Sequence, residues 1–235
     1  MTQLSGSERT GYVRRMFGRI AGRYDLMNRL MTFGQDARWR KEAIGHLNIQ
    51  PKAVILDAGT GTGDIAFELL QIAKDLCVVA SDLTPEMIAV GKCRADAEHI
   101  LWVVADAEHM PFAMAAFDGV ISGFLLRNVA NLDRTLGEQR RVLKEGRSMV
   151  SLDTTPPRRN LLRPFLRFHL RVVIPLLGRV IAGDAEAYTY LPDSTEGFLE
   201  AGRLAEHMRT AGFDGVKYVR RMLGTVAIHW GRKVG

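Results

Sequence analysis

Short apolar runs and stretches of helical periodicity alternate through the middle of the chain. Val54, Ile55 and Leu56 make the first run, in a strand expected over Ala53–Leu56 and closed by Asp57. Such runs, without polar alternation, mark strands buried on both faces, as in a parallel sheet. Cys77–Ser81, Leu101–Val104, Phe117–Ser122 and Ser148–Leu152 repeat the pattern. Between them the spacing predicts helices over Ile65–Ala73, Thr84–Arg94 and Leu132–Leu143, the last ended near Gly146. Thr84 suits an N-cap, with Pro85 at the first helical position. Val216–Met222 and Thr225–Trp230, turned near Gly224, read as a closing hairpin. The pattern predicts an α/β fold with a mainly parallel sheet and an antiparallel terminal strand.

Two stretches stand outside this alternation. Gly11–Leu47 reads as helical, with Val13, Met16, Phe17 and Ile20 on one face and Leu26, Leu30 and Met31 continuing it. It forms an N-terminal helical cap over 11–50, preceded by a loose polar segment, Met1–Thr10. The interval from Thr154 to Phe213 reads as a helical lid inserted before the last strands. Residues 11–235 are expected to form a single domain, without internal repeats.

Composition changes the picture little. The N-terminus lacks the apolar core of a secretory leader, and no apolar run is long enough to span a bilayer. Cys77 and Cys93 are the only cysteines and form no CxxC, which fits a reducing, cytoplasmic compartment. The formal charge of +6 is concentrated rather than spread. Arg158, Arg159, Arg163, Arg167, Arg171 and Arg179 lie in one segment with no acid before Asp184. A local basic and apolar stretch does not point to nucleic acid.

The candidate chemistry begins after the first strand, in Ile55-Leu56-Asp57-Ala58-Gly59-Thr60-Gly61-Thr62-Gly63-Asp64. A strand, then glycines, then a helix puts bare backbone N–H groups at the carboxyl edge of a sheet. The dinucleotide fingerprint requires glycine where Asp64 stands, and no Lys-Ser/Thr pair follows as a P-loop requires. An acid followed by Gly-x-Gly-x-Gly resembles the first motif of class I, Rossmann-like S-adenosylmethionine-dependent methyltransferases. Asp57, Gly59, Gly61 and Thr62 are its candidate cofactor residues. Asp82, at the tip of the second strand with Leu83 beside it, is placed to accept the ribose hydroxyls of a nucleoside. Asp106 follows the third strand, placed for an adenine amino group, with the backbone of Ala107 alongside. No metal-ligating set is expected.

Further segments resemble the ubiquinone/menaquinone-biosynthesis C-methyltransferase family. They are Arg23-Tyr24-Asp25-Leu26-Met27-Asn28 with Trp39, Gly61-Thr62-Gly63-Asp64, Phe117-Asp118, Leu126-Arg127-Asn128-Val129 and Arg141-Val142-Leu143-Lys144. Ala187-Tyr188-x-Tyr190-Leu191-Pro192-x-Ser194, Ala211-Gly212-Phe213 and His229-x-Gly231-x-Lys233 complete a collinear match over about residues 12–233. The resemblance implies methyl transfer from S-adenosyl-L-methionine to a ring carbon of a prenylated quinol, a demethylmenaquinol or a ubiquinone-pathway benzoquinol. It implies cofactor contacts at Thr62, Asp82, Asp106 and Ala107, and one at Gly123, where the family has serine and this chain offers only backbone. Ser122 stands one place earlier. Leu125 and Asp153 also depart from the family pattern, which marks a divergent member.

Arg127 is expected to stabilise a developing phenolate or hold a water that takes the proton, because guanidinium does not readily lose one. Asn128 is expected to orient the ring. Asp64, Asp153 and His229 are the candidate bases. Tyr24, Asn28, Asp153, Tyr188 and Tyr190 are expected to wall the acceptor pocket. Two other readings stay open: methylation of a different small acceptor, and a non-catalytic S-adenosylmethionine-binding protein.

A lipid acceptor requires a visit to the bilayer. Arg159, Arg163, Arg167 and Arg171 recur every four residues among Leu162, Phe165, Leu166, Leu170, Val173 and Ile174. That pattern suits transient contact, through Arg159–Arg179, with the inner face of an anionic membrane. The resemblance also leaves a homodimer open.

Overall fold

The structure is a computed structural model that describes residues 6–73, 75–156, 169–173, 176 and 184–235. Seven strands form one sheet in the order β3-β2-β1-β4-β5-β7-β6. They are β1 Val54–Ala58, β2 Cys77–Asp82, β3 Ile100–Val104, β4 Phe117–Gly123, β5 Leu143–Thr154, β6 Phe213–Arg221 and β7 Val226–Lys233. β7 runs antiparallel to both neighbours, β5 and β6, and the other pairs are parallel. The expected α/β architecture is therefore present, with β7 as its reversed strand.

The apolar runs lack alternation because both sheet faces are covered. On one face Ile55, Val78, Ile121 and Val150 pack against Trp39 and Ile44 of α3 (Gln35–Gly45) and Ile65 and Leu69 of α4 (Asp64–Ile72). On the other, Leu56, Val120 and Met149 meet Leu136 of α6 (Leu132–Val142) and Leu204 and Met208 of α8 (Ala201–Thr210). α5, Pro85–Lys92, follows β2.

Three expectations change. The lid is shorter than Thr154–Phe213, because α8 buries Ala201, Leu204, Ala205 and Met208, a helical stripe, as a crossover between β5 and β6. β5 starts at Leu143, well before Ser148. Gly146, at φ +72°, lets it kink, and its pairing with β4 shifts register between Phe117 and Gly119. The segment Met1–Thr10 is not wholly loose, since α1 runs Gly6–Ile20.

The cap is a third layer with its own core. Val13, Met16 and Ile20 of α1 and Met27 of α2 (Tyr24–Met31) bury against Ala187, Tyr188 and Tyr190 of α7 (Ala185–Glu196). The helical stretch Gly11–Leu47 is divided at the 3-10 turn Ala21–Arg23 and again at Gly34. These breaks turn α2 so that Tyr24 and Asn28 face the sheet's carboxyl edge, where β1 and β4 lie side by side. Chain direction away from the sheet reverses there, which is where open α/β sheets bind ligands.

Candidate active site

The loop after β1 is held open by backbone bonds. Thr60 N–H donates to Ser81 O at 2.9 Å, Gly63 N–H to Thr60 O at 2.9 Å, and Gly61 N–H to Asp82 Oδ2 at 2.8 Å. Gly61 sits at φ +58°, and a Cβ added there meets nothing closer than Tyr24 Cε1 at 3.9 Å. Its side-chain space is part of the cavity, so glycine at this place is both a backbone requirement and a cradle. Gly123 has ordinary backbone, but a Cβ there would come within 2.7 Å of Ile65 Cδ1. It therefore offers backbone alone. Ser122 is fully buried, its hydroxyl has no partner among the described residues and it lines neither chamber, so it is no substitute.

Two connected chambers surround this loop. The outer cleft, about 730 Å³ with its mouth, is lined by Gly59, Gly61, Asp82, Leu83, Asp106 and Ala107 among others. Gly123, Phe124, Leu125 and Asn128 form its far wall, and Thr10, Val13, Arg14 and Phe17 of α1 roof it. Asp82 accepts from Gly61 N–H and, through Oδ1, from Thr84 N–H at 2.8 Å. Burial raises its proton affinity, and these N–H donors oppose the rise. Thr84 occupies the N-cap of α5 but makes no side-chain capping bond. Asp106 holds its own turn by accepting from Glu108 N–H at 2.9 Å, and still faces the cleft.

The inner chamber, about 400 Å³ with its mouth, includes Tyr24, Asn28, Arg40, Asp57, Thr62 and Asp64 in its lining. Asp57 is fully buried. Its Oδ2 accepts from the Thr60 hydroxyl at 2.6 Å, and its Oδ1 has no partner among the described residues. Burial pushes its carboxyl up to about 7, against the pull of the Thr60 hydroxyl and the Ala66 N–H. A bare acceptor facing a chamber is what an ammonium group requires.

A charge cluster closes this chamber. Arg94 Nη1 reaches Asp64 Oδ1 at 2.7 Å, and Arg40 Nη2 reaches Asp64 Oδ2 at 2.8 Å and Asp36 Oδ2 at 2.5 Å. The Thr62 hydroxyl donates to Asp25 Oδ1 at 2.5 Å. Burial first, then the Asp64 carboxylate, raises the Asp25 carboxyl. Cap and glycine loop are thus clamped through Asp25, Asp36 and Arg40 on one side and Thr62 and Asp64 on the other. Asp57 and Asp64 line the chamber with Arg40 as its one lining cation among the described residues.

Several expected roles change here. Both oxygens of Asp64 are occupied by guanidinium groups, so it clamps the cap and is no free base. The Thr62 hydroxyl is spent on Asp25. Asp153 is buried at the end of β5, where Oδ1 takes Arg127 Nη1 at 2.6 Å and Thr154 N–H at 2.7 Å. Its Oδ2 takes Arg127 N–H at 3.2 Å. It anchors Arg127 and touches neither chamber. His229 is buried on β7 beneath α8, bonded through Nε2 to Ala201 O at 2.9 Å, and burial lowers it to about 4. It is a core histidine. Tyr188 is fully buried in the cap core, its hydroxyl raised by burial, and it lines no described cavity.

The remaining expected residues converge. Tyr24 stands in both chambers, with the Asn28 side chain beside it in the inner one. The Asn128 amide donates to Phe124 O at 2.9 Å and accepts from the Tyr190 hydroxyl at 3.2 Å. Phe124 holds φ +58°, an uncommon backbone for a bulky residue, which turns the chain so that Arg127 and Asn128 follow at once. The Arg127 guanidinium lies 5.0 Å from the Phe124 ring. It faces a second groove, shared with Arg9, Tyr12 and Tyr190, that meets the outer cleft at Val129. Arg9 donates to Arg127 O at 2.8 Å.

Sequence reasoning missed Arg9, Arg40, Arg94 and the roof residues of α1. The spacing of Asp36 and Arg40 was a signal for the clamp; nothing local marked Arg94. The basic stretch Arg159–Arg179 lies outside the described residues apart from 169–173 and 176. Within those, Arg171 is exposed and paired with Glu196.

A model of the ubiE/COQ5 methyltransferase family matches residues 2–233. Over 221 residues the chain is 47% identical to "Ubiquinone/menaquinone biosynthesis C-methyltransferase UbiE" of Desulfotalea psychrophila, covering 94% of this chain and 90% of that one. It is 42% identical to "Demethylmenaquinone methyltransferase" of Thermus thermophilus, covering 92% and 99%. Among solved structures, a SAM-dependent methyltransferase from Thermotoga maritima superposes with TM-score 0.67 at 18% identity, covering 94% and 99%. That likeness speaks for the class I methyltransferase fold.

Proposed function

The chain belongs to the ubiE/COQ5 methyltransferase family, and from that premise we propose that it methylates a ring carbon of a prenylated quinol, a demethylmenaquinol foremost. It is an S-adenosyl-L-methionine-dependent C-methyltransferase of quinone biosynthesis. Menaquinone is the product class shared by the names of both relatives above. The single observation that carries the acceptor reading is the Arg127 guanidinium 5.0 Å from the ring of Phe124, which lines the cleft together with Tyr24 and Asn128.

S-adenosyl-L-methionine, when bound, supplies an electrophilic methyl group. The residues present fit it: Asp82 and Leu83 for the ribose, Asp106 and Ala107 for the base, and the bare Asp57 Oδ1 for the ammonium. The chain must then align the ring carbon, raise its electron density and exclude water. α1 roofs the cleft, and Asn128, fixed by Phe124 and Tyr190, orients the ring. Arg127 favours ionisation of the ring hydroxyl. The Tyr24 phenol shows the balance: burial raises it overall, and the Arg127 charge opposes that rise. A quinol hydroxyl set closer to the Arg127 guanidinium would be drawn further toward the ionised form. With Asp64 and Asp153 engaged and His229 distant, the proton leaves through water in the cleft.

The test is turnover with a panel of short-tailed reduced demethylnaphthoquinones and demethylbenzoquinones, scored by product mass. Methylated naphthoquinol is the expected product. Donor binding without methylation of any quinol would favour another acceptor or a silent binder.

We also propose that the basic stretch Arg159–Arg179 makes transient contact with an anionic membrane surface. No helix among the described residues is long and apolar enough to cross a bilayer, and a prenylated acceptor needs surface docking. Replacing Arg163, Arg167 and Arg171 with Gln should lower sedimentation with anionic vesicles, most at low salt. Unchanged sedimentation removes the proposal.

A further inference from the structure

The inner chamber holds two orphaned polar atoms of opposite character. One is the Asp57 acceptor, Oδ1. The other is Arg40 Nε, a buried donor with no partner among the described residues. Arg40 is 7% exposed, comes from the cap rather than the methyltransferase sheet, and lines the chamber. Among the described residues its bonds run through Nη2 alone, to Asp36 and Asp64. A guanidinium has five N–H donors in a planar fork, so the clamp leaves most of them unused.

A chamber that presents a bare carboxylate oxygen and a bare guanidinium N–H is built for a zwitterion. We propose that Arg40 binds the carboxylate of the donor's amino-acid end, while Asp57 takes the ammonium. The proposal rests on the cofactor assignment and adds a residue to it. Two acids, Asp57 and Asp64, line this chamber, and Arg40 is what makes an anionic group acceptable there. Arg94 cannot take the same part, because it does not line the chamber and its Nη1 is directed to Asp64 and Thr62 O. The cap therefore reads one end of the ligand and the sheet reads the other. Arg40 then holds Asp64 of the loop helix and the ligand together.

The test is a cycle of two ligands and two proteins, read by calorimetry. The ligands are S-adenosylhomocysteine and its decarboxylated analogue, which keeps the nucleoside, the thioether and the ammonium. Native protein should lose about 10- to 100-fold in affinity when the carboxylate is removed, as for a charge-assisted bond. Arg40→Gln should bind both ligands equally, near the native protein's affinity for the analogue. Arg40→Lys keeps the charge without the fork, and serves if the Gln variant does not fold. It should show a smaller preference for the carboxylate than the native protein. An equal preference in native and variant proteins overturns the proposal and leaves Arg40 as a clamp only. So does native protein that binds both ligands alike. If native protein binds neither ligand, the cofactor assignment itself fails, which is a distinguishable outcome.

Discussion

Arg127→Met should remove methyl transfer and also destabilise the protein by about 3–5 kcal/mol, because Asp153 is left buried and charged without its partner. Loss of activity alone would therefore prove little. The double variant Arg127→Met with Asp153→Asn separates the two effects. It leaves no buried charge, so chemical denaturation should show most of the lost stability restored, while methylation stays absent. S-adenosylhomocysteine affinity should stay within about threefold of native, because neither residue lines the nucleoside chambers. If methylation returns together with stability, Arg127 is structural and the phenolate role falls.

Asp82→Ala should weaken S-adenosylhomocysteine binding by two orders of magnitude or more. Two ribose hydroxyls donating to a carboxylate contribute about 1.5–3 kcal/mol each. The variant also frees Gly61 N–H and Thr84 N–H, the bonds that shape the loop. Asp82→Asn should do nearly as badly, since an amide presents a donor where both backbone partners are donors as well. Calorimetry checks both. Affinity within threefold of native for Asp82→Ala would remove the ribose from this carboxylate.

The fold was legible wherever burial on both faces left an unbroken apolar run. The five expected parallel strands all appear, each with somewhat different ends, because strand ends are set by pairing rather than by composition. α8 was hidden inside an apparent insertion, although Leu204, Ala205 and Met208 carry a helical stripe. Its neighbours on that face of the sheet, Leu136 and Met149, are distant in sequence and explain its place.

At the site, local motifs located residues but not always their tasks. Asp64 and Asp153 were candidate bases from type and position. Arg40, Arg94 and Arg127, arriving from other elements, engage them instead. His229 and Tyr188 stood in informative segments yet belong to packed cores. A side chain's hydrogen-bond partners come from across the fold, and local spacing does not encode them.

By itself the sequence determined the strand–glycine–helix cradle, the acids at the strand tips and the family, because each is carried by neighbouring residues or collinear motifs. Tertiary structure alone decided which carboxylates stay bare and which are spent. Among the acids lining the inner chamber, Asp57 keeps an unpartnered oxygen and Asp64 keeps none. The reason is physical: an ion pair forms where folding brings opposite charges within a few ångströms, and chain order does not specify that distance.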